Sequence, residues 1–289
     1  MKLLFLGGNR FFGKKIIFEL SKNYKNKIYL INRSNKKNIK KKNIFLIRSD
    51  RNDFNLIKKK IGNIKFDFII DNIAYNEQDV KNIFFNFKSN FKHYIFTSTV
   101  MTYLDESLTK VCNENTKKKN QSIKKLKKVY KKEEIKYALD KLKAENFLIK
   151  NKKNFTILRL HNVIGVNDFS KKSLKLLNFN NSKFINKNSH KLIQFIYDQD
   201  LIFIFKKLIK NLKKDRKYIY NVANDPISVK DFYNIRNKYG KKNLFKNEAF
   251  PLPLNNLINN HKIKKKLKMN FTNLKRIIKN FSINRRYKI

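Results

Sequence analysis

The feature that most constrains this chain is an apolar run at its start that ends in a glycine turn. Met1-Lys2-Leu3-Leu4-Phe5-Leu6 is followed without a spacer by Gly7-Gly8-Asn9-Arg10-Phe11-Phe12-Gly13. A short unbroken apolar run is the pattern of a strand buried on both faces of a parallel sheet. A glycine pair directly after it, with a third glycine where an amphipathic stretch begins, gives the strand, turn and helix that a dinucleotide phosphate loop needs. Gly7 permits the tight turn and Gly8 leaves room for backbone to approach a pyrophosphate. Gly13 lets the helix lie close to the strand, with its N-terminus facing the phosphates. A glycine-rich turn can also simply reverse a chain, so the assignment needs support from the remaining sequence.

Downstream, strand and helix patterns alternate. Residues 12–23 fit a helix, and 27–31 and 44–47 fit strands. Asp53 is placed to cap a helix through Lys60, with Gly62 at its end. Residues 67–71 read as a strand, 77–87 as a helix, 92–97 as a strand, 133–152 as a helix and 155–160 as a sixth strand. This order predicts an α/β fold with a doubly wound parallel sheet, a Rossmann architecture. The stretch 105–132 is polar and lysine-rich and reads as a loop or a frayed helix. After Gly165 the pattern loosens. A helix fits 200–212, a strand fits 218–222, and Ser228-Val229-Lys230-Asp231 resembles a helix start. Pro251 and Pro253 break the chain, Thr272 is placed to cap a last helix to Phe281, and 283–289 reads as a basic tail. The expected division is a dinucleotide-binding domain over 1–165. A small C-terminal substrate lobe follows over 166–289, with strand and helix segments returning to the sheet.

At 289 residues and 41% hydrophobic content the chain can bury a real core. No apolar stretch is long enough to span a membrane. The immediate entry into a strand leaves no room for a cleaved targeting segment, so the expectation is a cytoplasmic protein. Cys112 is the sole cysteine, which excludes an internal disulfide and a multi-thiolate zinc site. His93, His161, His190 and His261 lack metal-site spacing, so no metal is expected. The net charge of +48 would suit a nucleic-acid binder. Yet Lys, Asn, Ile, Phe and Tyr are inflated together, while Gly is 6, Pro 3 and Trp 0, the signature of A/T-rich codons. The lysines are scattered, in 36–42, 58–60, 117–128 and 262–268 and singly. The charge is therefore attributed mainly to base composition, with nonspecific adhesion to polyanions expected at low salt.

Three positions carry chemistry. Tyr137 and Lys141 lie four residues apart, on one helix face. An ammonium near a phenol favours phenolate and lowers its pKa, which suits a group that exchanges a proton with a carbinol or carbonyl oxygen during hydride transfer. With 13 Tyr and abundant Lys, such a pair also arises by chance. Thr97-Ser98-Thr99 closes the fifth strand at the end that opens onto the ligand crevice in such sheets, with Tyr103 just beyond. Cys112 falls in a polar loop with no evident activating partner.

Together these segments resemble the extended short-chain dehydrogenases/reductases, the NAD(P)-dependent epimerase/dehydratase group. The glycine loop, the hydroxyl-rich strand end and Tyr137-x-x-x-Lys141 occur in that family's order. Arg159-Leu160-His161-Asn162-Val163-Ile164-Gly165 is similar to its R-x-x-N-V-x-G segment. Gln194-Phe195-Ile196-Tyr197-Asp198-Gln199-Asp200-Leu201 and Tyr220-Asn221-Val222-Ala223-Asn224 match two later ones, and the resemblance covers about residues 1–235. It implies Tyr137 as general acid/base, Lys141 as its pKa-lowering partner and ribose ligand, and Thr99 as the catalytic hydroxyl. It implies Gly7, Gly8 and Gly13 along the pyrophosphate, Arg10 and Phe12 as further cofactor-binding residues of the loop, Asp50 at the adenine amine, and Ala74 where the fourth strand's end passes the cofactor. Arg10 replaces the middle glycine, as in an atypical subgroup with a G-G-T-R-F-I-G loop that includes chloroplast RNA-binding relatives. Arg33 stands where an acid would bond the ribose of NAD, and so favours NADP over NAD. The implied activity is NAD(P)-dependent redox chemistry on a nucleotide-sugar or similar hydroxyl substrate. The alternatives are an RNA-binding protein on the same fold with residual cofactor binding, and a protein whose activity has decayed.

Overall fold

The computed structural model describes residues 1–33, 41–87, 89–104, 106, 110–116, 126–211, 216–240 and 249–283. The lysine runs at 36–40 and 117–125, much of the expected 105–132 loop, Leu212 and the tail over 284–289 lie outside the described residues.

β1 (Lys2–Leu6) is flanked in sequence order by α1 (Phe11–Ser21), β2 (Lys27–Asn32), β3 (Ile44–Arg48), α2 (Phe54–Ile61), β4 (Phe66–Asp71), α3 (Glu77–Phe87) and β5 (Phe91–Thr99). A 3-10 turn (Val100–Tyr103), α4 (Lys132–Lys150) and β6 (Phe155–Leu160) follow. The expected strands and helices recur with ends moved by at most a few residues. Of the first six strands, β1, β4, β5 and β6 are buried almost throughout and β2 and the edge strand β3 only in part; Leu3, Leu4, Phe5 and Leu6 are all fully buried. The helix ends obey local chemistry. Asp53 accepts a hydrogen bond from Leu56 N at 3.0 Å to start α2, and Gly62 ends it at φ 54°. Glu134 accepts from Lys131 N at 2.9 Å to start α4.

The sheet has seven strands in the order β10-β6-β5-β4-β1-β2-β3, where β10 is Tyr218–Val222. The pairs β1–β2, β2–β3, β1–β4 and β4–β5 are parallel. The strand order reverses between β1 and β4, which is the switch point where such sheets open a crevice at their carboxyl ends. The chain divides into two units. The first comprises Met1–Leu104, Lys119–Arg159 and Ile202–Tyr220, and the second Asp105–Lys118, Leu160–Leu201 and Asn221–Ile289. In the first unit α3 packs on α4, with the rings of Phe84 and Phe147 edge to face at 5.5 Å.

The second unit has its own core of Ile164, Leu176, Phe179, Phe195, Val229, Phe232, Ile278 and Phe281. Short strands pair within it: β7 (Val163–Ile164) with β9 (Ile196–Tyr197), and β8 (Leu192–Ile193) with β11 (Ile227–Ser228). Its helices include α5 (Lys172–Asn178), α6 (Ser182–Lys187), the start of α7 (Asp198–Asn211), α8 (Val229–Tyr239), α9 (His261–Leu267) and α10 (Leu274–Ile283). Three expectations are corrected here. Asn273, not Thr272, caps α10: its side chain accepts from Arg276 N at 3.0 Å. Thr272 instead donates its hydroxyl to Asp200 at 2.6 Å. Ile283 belongs to α10 rather than to a tail. Cys112 is fully buried, because its backbone joins an extended pairing with Ile258, so it does not lie in a solvated loop.

Candidate active site

Residues singled out from the sequence stand at the carboxyl ends of five neighbouring strands. Gly7 follows β1, Arg33 follows β2, Asp50 follows β3, Ala74 follows β4, and Thr99 ends β5. Gly7 and Gly8 have φ of 73° and 139°, a region side chains disfavour. A Cβ on Gly8 would lie 2.6 Å from Ile17 Cδ1, and one on Gly13 would lie 2.8 Å from Gly8 Cα. The missing side chain of Gly8 thus also makes room for α1 against the sheet. Arg10 sits at the start of α1, is exposed, and gives no side-chain cap to its amides. Phe12 is half-buried against Phe11, with ring centroids 5.7 Å apart. Arg33 is 81% exposed and reaches Asp50 at 3.4 Å.

The turn after β4 is fixed from below. Asp71 is fully buried and accepts from Arg51 through both terminal nitrogens at 3.1 and 2.9 Å, and from Tyr94 Oη at 2.7 Å. It also accepts from the backbone N–H of Ile73 at 3.0 Å and of Ala74 at 2.8 Å. The paired charge holds the Arg51 guanidinium above its ordinary pKa despite burial. Burial and the Asp71 carboxylate push the Tyr94 phenol well up. Asn72 accepts from Thr97 Oγ1 at 2.7 Å, tying β4 to β5. Its amide nitrogen is buried without a partner and lies 3.5 Å from where a Gly13 Cβ would be; Asn9 Oδ1 in the loop is likewise buried and unpartnered. An uncapped helix start, an exposed arginine and an orphaned amide donor beside the glycine turn form a donor set that fits a diphosphate.

α4 explains the reactive pair. Its buried stripe is Ile135, Ala138, Lys141, Ala144, Glu145 and Leu148, so an ammonium and a carboxylate ride on an otherwise apolar face. Lys141 is 3% exposed and donates to the Thr97 carbonyl at 2.7 Å. Its Nζ lies 4.7 Å from the Phe96 ring centre, 5.6 Å from that of Tyr75 and 5.8 Å from that of Tyr137. Burial lowers its pKa to about 8, against the pull of the Asp71 and Glu145 carboxylates. The Thr99 hydroxyl stands close enough to Tyr137 to favour its phenolate, and Lys141 Nζ lies over the Tyr137 ring, so Tyr137, Thr99 and Lys141 do come together. The expected acidification of Tyr137 does not hold in the protein alone. Burial, with Tyr75 beside it, pushes the phenol up to about 12, and the Thr99 hydroxyl only partly offsets this.

Two further participants escaped the sequence reading. Tyr75 is 58% exposed, with its ring 6.2 Å from that of Tyr137. Glu145, fully buried, accepts from Ser98 Oγ at 2.6 Å and binds Arg159, which in turn donates to Tyr103 Oη at 2.7 Å. Ser98 is thereby committed to Glu145, which leaves Thr99 as the hydroxyl beside Tyr137. An acid falling in the apolar stripe of α4 was the signal for Glu145; an aromatic next to Ala74 gave none.

No family model matches this chain, and no curated protein sequence does. Solved structures do. The UDP-glucose 4-epimerase of Thermotoga maritima, with UDP-glucose, is 15% identical with a TM-score of 0.72, covering 99% of each chain. The dTDP-glucose 4,6-dehydratase of Bacillus anthracis, in complex with NAD, is 13% identical with a TM-score of 0.70, covering 99% of this chain and 98% of that one. The UDP-glucuronic acid 4-epimerase of Bacillus cereus, with UDP-glucuronic acid and NAD, is 15% identical with a TM-score of 0.71, covering 99% of this chain and all of that one. The chain has the fold of these enzymes. No helix among the described residues is long and apolar enough to cross a membrane.

Proposed function

We propose that this protein is an NAD(P)-dependent epimerase or dehydratase acting on a hydroxyl group of a nucleotide sugar. The observation that carries the reading is the cluster of Tyr137, Lys141 and Thr99 at the end of β5, on the same sheet edge as the glycine turn. The enzymes of the same fold support the substrate class: their names carry UDP-glucose, dTDP-glucose and UDP-glucuronic acid, and two are complexes with NAD.

When bound, the nicotinamide would supply the acceptor and donor of hydride. Gly7, Gly8, Arg10, Phe12, Gly13 and the Asn72 amide would hold the diphosphate, Asp50 the adenine, and Ala74 the passing face. Lys141 would bond the nicotinamide ribose. Tyr137 would take the hydroxyl proton as the carbon–hydrogen bond breaks and return it afterwards, with Thr99 orienting the substrate oxygen. For that role the phenol must ionise more easily than it does in the protein alone. Exchange of the Thr97 carbonyl for a bound hydroxyl would free the Lys141 ammonium to act on it. We place NADP ahead of NAD, because Arg33 offers an exposed guanidinium and residues 32–34 hold no acid. The RNA-binding alternative rests on the net charge and Arg10, and the cluster at the strand ends adds nothing to it.

Calorimetric titration with NAD, NADH, NADP and NADPH at physiological salt tests the reading, followed by turnover of UDP-glucose. Binding of a dinucleotide that Gly8→Leu abolishes is expected, with Arg33→Asp erasing any preference for the 2′-phosphate. Failure of all four to bind at millimolar concentration would overturn it.

A further inference from the structure

The second unit contains a buried cation that no carboxylate among the described residues neutralises. Arg236, on α8, is 4% exposed. Its Nη2 donates to the Phe179 carbonyl at 3.1 Å, and its guanidinium lies 4.7 Å from the Tyr233 ring centre. Its Nε is buried with no hydrogen-bond partner, and among the described residues no carboxylate pairs with it. Burial alone pulls its pKa below the ordinary value, where Arg51 and Arg159 are held up by their carboxylates. A buried charge left in this state is costly unless something of opposite sign completes it.

Arg236 lines a half-open cleft of about 520 Å³ between α6 and α8. The size falls within the range of small-molecule sites, about 300–1,000 Å³. Among the described residues the wall holds a second cation, Lys230, no acid, and neutral donors from Asn180, Asn186, Asn234 and Ser189. Asp231 beside Lys230 is turned to the helix start, where it accepts from Ser228 Oγ at 2.7 Å. A guanidinium fork, an ammonium and amide and hydroxyl groups around them suit a phosphate carried on a polyhydroxyl body.

We propose that this cleft is a binding site for a small sugar phosphate, with Arg236 and Lys230 on the phosphate and the asparagines on the hydroxyls. The site lies wholly within the second unit and does not depend on the proposed function.

The test is titration of the full chain in 150 mM salt with ribose 5-phosphate, glucose 6-phosphate and inorganic phosphate, read by calorimetry and by the Arg236 Nε–H resonance. The expected result is saturable binding of a sugar phosphate that shifts that resonance. It should weaken about tenfold in Arg236→Lys, which keeps the charge and loses the fork, and severalfold in Lys230→Gln and Asn234→Leu. The last two residues are exposed, so their variants stay informative if Arg236→Lys does not fold. Lys60→Gln, an equal change of charge on α2, should leave binding unchanged, as should Tyr137→Phe. The proposal is overturned if no sugar phosphate binds, if Lys60→Gln weakens binding as much as Lys230→Gln, or if inorganic phosphate binds as tightly as the sugar phosphates.

Discussion

The two units bury their charges in different ways. In the first, buried arginines face carboxylates: Arg51 is paired with Asp71 at 2.9 Å and Arg159 with Glu145 at 2.8 Å. In the second, four buried ionisable groups rest on neutral partners. Asp168 accepts from Ser170 and Ser173, Asp200 from Thr272 and Asn224, His161 lies 3.0 Å from the Asn256 carbonyl, and Arg236 donates to the Phe179 carbonyl. Lys141 in the first unit and Arg236 in the second are buried cations that donate to a backbone carbonyl and, among the described residues, have no carboxylate in an ion pair. These two line a candidate active site and an unassigned cleft. An ion pair that is complete within the protein fixes structure; a buried cation resting on a carbonyl can exchange that partner for a ligand.

The comparison can be broken most forcefully at Arg159. Arg159→Met leaves Glu145 buried and uncompensated, and should cost about 3–5 kcal/mol in urea unfolding. Arg159→Met with Glu145→Leu should recover much of that loss. A single-variant cost near zero would show that the pair is not what holds α4 to β6.

In the second unit the sensitive variable is pH. Burial keeps His161 neutral, drawing its pKa from 6.5 to about 4, against the pull of the Asn256 carbonyl. The unfolded chain therefore takes up the proton first, and stability rises with pH between about 4 and 6.5. The contribution is complete above that window and is lost as pH falls through it, by about 3 kcal/mol in all. Thermal or urea unfolding from pH 7 to pH 4, beside His161→Gln, checks this. The variant should lack that part of the slope.

Tyr137→Phe sharpens the contrast between structural and reactive groups in the first unit. It removes only the hydroxyl, so stability and dinucleotide binding should persist while turnover falls about a hundredfold or more. Equal kcat values for the two proteins would remove Tyr137 from the chemistry. The smallest effect is expected at Asn273→Ala, about 1 kcal/mol through loss of the α10 cap. A change larger than that of Thr272→Ala is not expected, because Thr272 also anchors Asp200.

Much of the first unit was legible because its central strands are buried on both faces and are therefore largely apolar. β1 and β4 announce themselves in Leu3-Leu4-Phe5-Leu6 and Phe68-Ile69-Ile70, and α3 matches its expected span. The second unit was less legible because its pieces are short. β7, β8, β9 and β11 have two residues each, and α5 and α6 have seven and six, too few for a periodic signal. The order of the site residues along the strand ends was readable from spacing. The sign of the Tyr137 shift was not, because it depends on how much water α4 and its neighbours exclude, and sequence does not record that. Cys112 misled for the same reason: a polar neighbourhood in sequence became a buried one through pairing with residues far along the chain.

The hub at Asp71 has a consequence for binding. Its five hydrogen bonds set the turn that carries Ala74 and Tyr75 through groups of the protein itself. A ligand docking on that turn therefore finds it already ordered and does not pay to freeze it. The backbone amides of Ile73 and Ala74 should exchange slowly with solvent in the free protein, and ligand addition should slow them little further. A ligand recognised at the end of β4 would thus meet a preorganised template rather than a flexible clasp.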